Sequence, residues 1–335
     1  MNAPLVSAVI PTRHRPDLVV RAVRSALAQS YSNIEVVVVI DGPDVASQSA
    51  LASIVDNRLR LVMLDASVGG AEARNVGVTG SRGDWIAFLD DDDEWLAEKI
   101  EHQMRVAISS TAQFPLLCSQ VTARNPIAEF VWPENPPRAP YSEYLLVRSR
   151  LGYGEGLMQT STLLAKRGLL ERVPFQKGLQ KHQDWDWILR CVELPGVEVL
   201  YVPEPLAIWN LDDGRERASR ADAWMASWNW IKSSRTRVTP RAYAAFIATH
   251  VAPQAASQNA WGAFVPTARE LFHPGSPRPR DLMMFAGAWF FPIKLRNSLR
   301  RFIQSRSAAS SPSVKDSGVA QTSRIDAKTS EALRS

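Results

Sequence analysis

The sequence predicts an α/β fold, a mainly parallel, Rossmann-like sheet flanked by helices, followed by a helical carboxyl-terminal extension. Two patterns carry that expectation. From Leu5 to Asp93 short apolar runs alternate with amphipathic stretches, the arrangement that builds parallel strands joined by crossover helices. At the end of that series the apolar run Trp85-Ile86-Ala87-Phe88-Leu89 delivers four consecutive aspartates, Asp90 to Asp93, to a strand's carboxyl end, where ligands sit in open sheets of this kind.

Leu5 to Ile10 reads as the first strand. Asp17 to Gln29 follows as a helix, with Leu18, Val19, Ala22, Val23 and Ala26 along one face. Ile34 to Ile40 is a near-continuous apolar run, as expected of a strand covered on both faces. A helix over Ser47 to Val55 leads to a strand over Arg60 to Leu64, and a third helix, Ala71 to Thr79, feeds the strand Trp85 to Leu89. The next helix is expected to begin near Trp95. This order brings Pro11 and Thr12, Asp41 and Gly42, Ser67 to Gly70, and Asp90 to Asp93 to one crevice. No Walker-type phosphate loop is present and Gly69-Gly70 lacks dinucleotide spacing, so simple ATPase and hydride-transfer readings lose their main support.

Four adjacent carboxylates repel and raise one another's pKa. A divalent cation relieves this, because hard carboxylate oxygens are its preferred ligands. The run therefore reads as a metal site serving a phosphate-bearing substrate. The alternative is an acidic loop whose Asp93 and Glu94 favour the positive end of the following helix.

Four segments together resemble family 2 glycosyltransferases: Val6-Ser7-Ala8-Val9-Ile10-Pro11-Thr12, Ala28-Gln29-Ser30-Tyr31-Ser32-Asn33-Ile34-Glu35, Ala73-Arg74-Asn75-Val76-Gly77, and Gly83 to Asp93. The likeness is strongest over residues 5–106 and continues more loosely to about residue 212. It implies a GT-A fold and an inverting transfer of a sugar from a nucleotide diphosphate-sugar donor, with Mg²⁺ or Mn²⁺ as cofactor. The family's paired aspartates map to Asp90 and Asp92, with Asp92 on the metal and Asp90 on the donor ribose or a metal-bound water; Asp91 and Asp93 fit the same pattern. Donor contacts are implied at Pro11, Thr12, Arg13, Asp41, Arg74, Asp90 and Asp91, with Asp41 accepting from a base N–H. Two departures stand out: Arg13 and His14 occupy the place of an aromatic residue that stacks on the base, and Ile40 precedes Asp41 where the family often has two acids.

An inverting transfer also needs a base for the acceptor hydroxyl, usually a carboxylate in this family. The segment His182-Gln183-Asp184-Trp185-Asp186-Trp187 resembles the family's acceptor-side motif, with Gln183 in place of a glutamate and Asp184 aligned with the base. Asp186 is the second choice. Asp184 could equally cap the helix that runs to Val192. Trp185 and Trp187 cannot share a helix face, so at least one is expected to face the acceptor cleft, and Trp185, Asp186 and Trp187 are the candidate acceptor contacts; core packing of both tryptophans is the alternative. The resemblance also implies a metal-binding histidine near residue 212 in some relatives; none is present here, and Asp212 is the candidate substitute.

The net charge of +5 is a carboxyl-terminal property. Residues 294–335 hold nine Lys or Arg and three Asp or Glu, net +6, which leaves −1 for everything before them, and no nucleic-acid partner is expected. Just ahead of these charges, Leu282 to Ile293 is uncharged and too short to span a bilayer. Followed by Lys294, Arg296, Arg300 and Arg301, it suits either an anionic membrane surface or a helix packed on the catalytic domain. Two cysteines in apolar surroundings and an amino-terminal apolar run already used by the first strand point to the cytoplasm or the inner face of its membrane. The expected organisation is a catalytic domain over 1–215, divided near residue 110 into nucleotide-sugar and acceptor halves. A helical region follows over 216–303, membrane-associated at 280–303, and a disordered basic tail over 304–335. The leading function is a metal-dependent inverting glycosyltransferase that builds surface polysaccharide or glycolipid on a saccharide or lipid-linked acceptor. A catalytically silent scaffold that binds nucleotide or protein partners and a nucleotidyltransferase are the alternatives.

Overall fold

The computed structural model describes residues 3–125, 129–148, 156–211 and 223–291. Asp212, the basic residues from Lys294 onward and the tail 304–335 lie outside the described residues.

The amino-terminal half follows the apolar pattern closely. Strands β1 (Val6–Thr12), β2 (Ile34–Ile40), β3 (Leu59–Met63) and β4 (Trp85–Phe88) alternate with helices α1 (Pro16–Leu27), α2 (Val45–Ala52) and α3 (Gly70–Gly80). β1 lies between β2 and β4, and β3 flanks β2, all parallel. Every residue of β2 is buried, as its unbroken apolar run requires. Side chains of β1 alternate between the two faces of the sheet. Val6, Ala8 and Ile10 pack with α1, and Val9 packs into the core on the opposite face.

Beyond β4 the sheet is mixed rather than mainly parallel. β5 (Glu94–Trp95), α4 (Lys99–Ser109), β6 (Phe114–Arg124), β7 (Glu129–Trp132), α5 (Tyr141–Leu146), β8 (Leu164–Lys166), α6 (Arg167–Arg172), α7 (Gln183–Cys191) and β9 (Val197–Asn210) follow in the chain. The spatial order is β3-β2-β1-β4-β8-β6-β9-β5, with β7 alongside β6. β8 runs antiparallel to both β4 and β6, whereas β6 and β9 pair in parallel. The helix expected near Trp95 begins only at Lys99. Glu94 and Trp95 instead pair antiparallel with Ile208 and Ala207, which ties the end of the aspartate run to β9.

Helices α8 (Ala223–Ser233), α9 (Pro240–Phe246), α10 (Ala252–Ser257), α11 (Phe264–Phe272) and α12 (Pro279–Phe290) form the helical carboxyl-terminal segment. Its Trp230, Tyr243, Phe246 and Trp289 belong to the same buried cluster as Phe88 of β4 and Trp187 of α7. Sheet and helices thus share one core.

Gly77 explains one of the recognised motifs. A Cβ at this position of α3 would lie 2.3 Å from Val9 Cγ1 and 3.2 Å from Val39 Cγ2, both on strands β1 and β2 that cannot retreat. Gly77→Ala is expected to overpack this contact by about 1–3 kcal/mol, outweighing the roughly 1 kcal/mol that alanine gains in a helix. Thermal denaturation should show a midpoint lowered by several degrees; an unchanged midpoint would mean that α3 can slide away from the sheet.

Candidate active site

The four aspartates leave β4 and divide into two pairs. Asp91 and Asp93 turn inward. Thr12 Oγ1 donates to Asp91 Oδ2 at 2.8 Å and Arg15 Nη1 to Asp91 Oδ1 at 2.8 Å. Asp93 is fully buried and accepts from Gln159 Nε2 and Ser161 Oγ, each at 2.6 Å. Burial pushes the pKa of both carboxyls up. The side chains of Asp90 and Asp92 stay open, 26% and 34% exposed, against 8% for Asp91.

The open pair is poor in neutralising charge for four adjacent acids. Arg15 Nη1 also reaches Asp92 Oδ2 at 3.1 Å, and Arg74 Nη2 donates to Asp90 Oδ1. The pKa of Asp92 is still pushed up to about 6, first by desolvation and then by the charges of Asp90 and Asp91. The backbone is pinned from outside the run: Arg21 and Asn210 donate to the Asp92 carbonyl at 2.7 and 2.8 Å, and the Asp90 N–H donates to Ser161 Oγ at 3.0 Å.

Asp41, expected to accept from a donor base, has its carboxylate committed to the chain. Oδ1 accepts from the Val68 N–H at 2.7 Å, and Oδ2 from Gly69 N–H at 3.1 Å and Ser67 Oγ at 2.9 Å. It thereby cradles the loop between β3 and α3, which Arg13 also holds through Ser67 Oγ at 2.8 Å. Gly42 makes the sharp turn after Asp41 with φ +97°, and a Cβ there would meet the Ser67 nitrogen at 2.9 Å. Pro11 sits at the open end of β1, in register with Val39, and is partly buried.

Arg74 joins the two halves of the crevice. Besides Asp90 it donates from Nη1 to Gln183 Oε1 at 2.7 Å, and its guanidinium lies 5.7 Å from the centroid of the Phe175 ring. Its buried Nε has no hydrogen-bond partner among the described residues. Gln183, the departure from the family's glutamate, is thus the residue that fixes Arg74 against α7, and its own Nε2 donates to the Leu179 carbonyl at 2.7 Å.

Asp184 lies in the first turn of α7, where its Oδ1 accepts from the Trp185 N–H at 2.9 Å. The helix is preceded by His182 in the left-handed conformation, and no side chain caps it, so Asp184 is not its N-cap. Burial pushes the Asp184 pKa up to about 6, the Trp185 N–H opposes this, and the charges of Asp90 and Arg74 act on it with opposite signs. That electrostatic reach puts the base candidate within the field of the open aspartates.

The other acceptor-side expectations divide. Trp187 is completely buried, with its Nε1 donating to the Val173 carbonyl at 2.7 Å and its ring stacked 5.1 Å from Phe175. It is a core residue and does not face an acceptor. Asp186 is also buried, bonded to Arg190 Nε at 2.8 Å and Trp230 Nε1 at 3.2 Å, which leaves no carboxylate to offer an acceptor or a hydroxyl proton. Trp185 keeps part of its surface open and stacks 5.0 Å from His182 in an aromatic group with Trp230, Phe246 and His250. Burial drives the His182 imidazole down to about 3, so it is neutral at physiological pH, with Nε2 2.9 Å from Ser227 Oγ.

Among the described residues no three or more His, Cys, Asp or Glu side chains form a group that could hold a metal by itself. Asp90 and Asp92 nonetheless fit Mg²⁺ or Mn²⁺. Two partly open carboxylates are what such an ion takes from a protein when substrate phosphates supply further oxygens.

Residues 7–155 match the profile of Glycosyl transferase family 2. The amylovoran biosynthesis glycosyltransferase AmsB of Erwinia amylovora is 27% identical over 245 residues, covering 70% of this chain and 79% of the relative. UDP-Glc:alpha-D-GlcNAc-diphosphoundecaprenol beta-1,3-glucosyltransferase WfgD of Escherichia coli is 30% identical over 135 residues, 40% of this chain and 53% of its own. The chain spans only 32% to 52% of the length of several other curated relatives it matches. In fold it is similar to the mannosyltransferase PcManGT of Pyrobaculum calidifontis in complex with GDP-Man and Mn²⁺, with a TM-score of 0.53, 17% identity, and 92% of this chain and 86% of that one covered. The stretch that forms the parallel strands and presents the aspartate run at the end of β4 is the stretch that matches the family 2 glycosyltransferase profile, and the chain as a whole has the GT-A fold.

Proposed function

We propose that the protein performs an inverting transfer of a sugar from a nucleotide diphosphate-sugar to a saccharide or lipid-linked acceptor during polysaccharide or glycolipid assembly. The observation that carries this reading is the bridge Asp90–Arg74–Gln183, which holds the open aspartates beside the helix bearing Asp184. The acceptor oxygen bonds to the anomeric carbon as its proton passes to the Asp184 carboxylate. The bond from the anomeric carbon to the phosphate oxygen breaks, and its electron pair leaves with the nucleoside diphosphate. Attack from the face opposite the leaving group inverts the configuration.

Asp90 and Asp92 hold Mg²⁺ or Mn²⁺ in this reading, and the bound ion supplies Lewis-acid neutralisation of the charge on the departing diphosphate. Arg74, already poised on Asp90, adds a second positive group on the same side. Thr12 and Arg15 fix Asp91 behind the open pair, so that its carboxylate does not swing into the donor's place. Trp185, only partly buried, offers the acceptor an aromatic edge. The relative WfgD is named for an acceptor carried on diphosphoundecaprenol, which favours a lipid-linked acceptor here and a reaction at the inner surface of the membrane, with the donor drawn from the cytoplasm. No described helix is long and apolar enough to cross a membrane, so this location calls for surface attachment.

Calorimetric titration with UDP-, GDP- and dTDP-linked sugars, with Mn²⁺ and then with EDTA, tests the proposal. One donor class should bind, only with the ion present, and product NMR should show an inverted anomeric centre. Retention of configuration would remove Asp184 as base, and absence of binding by every donor would remove the transferase reading of the site.

A further inference from the structure

The outer faces of the last two helices are apolar. Trp261, Val265 and Phe272 recur at spacings of four and seven, which stacks them along one side of α11 and the short turn before it. They are 54%, 70% and 60% exposed. Met283 and Phe290, seven apart, do the same on α12, at 57% and 65%. The two stripes meet, because the Trp261 and Phe290 rings lie 6.4 Å apart and the Phe264 and Phe290 rings 5.7 Å. The opposite sides of the helices are already used: Leu271, Phe285, Ala288 and Trp289 are buried in the shared core. The outward residues are therefore additional to what folding requires, and a joined apolar surface of this kind marks a contact with something else.

The exposed charges of α11 and of the residue before α12, Arg269 and Arg278, are basic, while Glu270 of α11 is half-buried with its carboxylate accepting from the Tyr243 hydroxyl at 2.6 Å. Residues 282–291 contain no charged side chain, and the nearest acid, Asp281, is buried and accepts from the Arg278 N–H at 2.9 Å. Arg269 is the exposed charge on the outer side of α11. Phe291 is followed, over residues 294–335, by nine Lys or Arg against three Asp or Glu. A second copy of the chain would carry the same excess of basic residues after Phe291 and no acidic complement to it. An anionic bilayer satisfies both features at once, since its acyl boundary takes aromatic and aliphatic side chains and its headgroups attract the basic residues.

We propose that the Trp261–Val265–Phe290 face is the surface by which this protein docks on an anionic phospholipid bilayer. It rests on the membrane location proposed above and not on the transfer chemistry. The test is co-sedimentation of the full chain with phosphatidylcholine vesicles and with vesicles also containing phosphatidylglycerol, for wild type, Phe290→Glu and Val265→Glu. Wild type should sediment with the phosphatidylglycerol vesicles, less so as salt is raised, and each substitution should weaken binding about tenfold, the effect of losing one well-buried apolar contact. Unchanged thermal melts would show that the variants remain folded. Wild type that ignores the anionic vesicles, or variants that bind as well as wild type, would overturn the proposal. Self-association in sedimentation velocity that the same substitutions abolish, without vesicle binding, would assign the face to a second copy and overturn it too. Vesicle binding by a protein that transfers no sugar would remove the transferase reading alone.

Discussion

Asp184→Asn should lower kcat by about 10²–10⁴-fold, the usual contribution of a positioned general base, with donor affinity unchanged. Asparagine keeps the size of the side chain and can still accept from the Trp185 N–H, so α7 should retain its geometry. It cannot take the acceptor proton. The wild-type pH profile provides an independent check. With the Asp184 pKa raised to about 6 by burial, the base is protonated and idle below that value, so kcat should rise through about pH 6 and level off above it. Stability runs the other way. Folding favours the proton on Asp184, so the contribution of this side chain to stability is most favourable below its unfolded pKa, where it is a neutral acid, and is lost as pH rises through the folded value. Asp184→Asn should therefore melt higher relative to wild type at pH 8 than at pH 5. A variant that loses activity with no such pH-dependent change in melting would be disrupted for another reason.

Asp92→Ala should weaken ion-dependent donor binding by at least the roughly 10–100-fold typical of losing an outer-shell partner of a metal ligand, measured by calorimetry with and without EDTA. The site itself supplies a pH test. An ion competes with a proton for Asp92, whose pKa is pushed up to about 6, so Mn²⁺-dependent donor binding by wild type should fall as pH drops through that range. Donor binding that survives both EDTA and the substitution would show that arginines alone receive the diphosphate. Arg15 sharpens the comparison, because its guanidinium already sits 3.1 Å from Asp92 Oδ2. Removing it with Arg15→Gln should strengthen Mn²⁺ binding measured without donor.

The amino-terminal sheet was legible because its strands are locally encoded: an apolar run such as Ile34 to Ile40 needs no distant partner to identify it. The mixed half was not. Glu94 and Trp95 become a strand only through pairing with Ile208 and Ala207, more than a hundred residues away, and no local pattern announces that. The aspartate run could be located from sequence but not sorted, since the inward turn of Asp91 and Asp93 depends on Thr12, Gln159 and Ser161. Spacing showed that Trp185 and Trp187 must diverge, yet only the packing against Phe88 and Phe175 sends Trp187 inward. Arg15, Arg21 and Asn210 carry no local signature because their partners are 71 to 118 residues distant, although a cation two positions beyond the unusual Arg13 is a visible signal.

The aromatic group around His182 bears on how such enzymes diversify. The stretch that matches the family profile ends at residue 155, yet α7 with Asp184 is seated through Trp185 and Asp186 on Trp230 and Phe246, which belong to the helices after residue 222. The carboxylate proposed as the base is thus aimed by a part of the chain that the family profile does not include. Transplanting the carboxyl-terminal helices between relatives would shift the footing of α7 before it altered any acceptor contact. Hybrids should accordingly lose turnover first and change selectivity only after Trp230, Phe246 and α7 have been re-matched as a set.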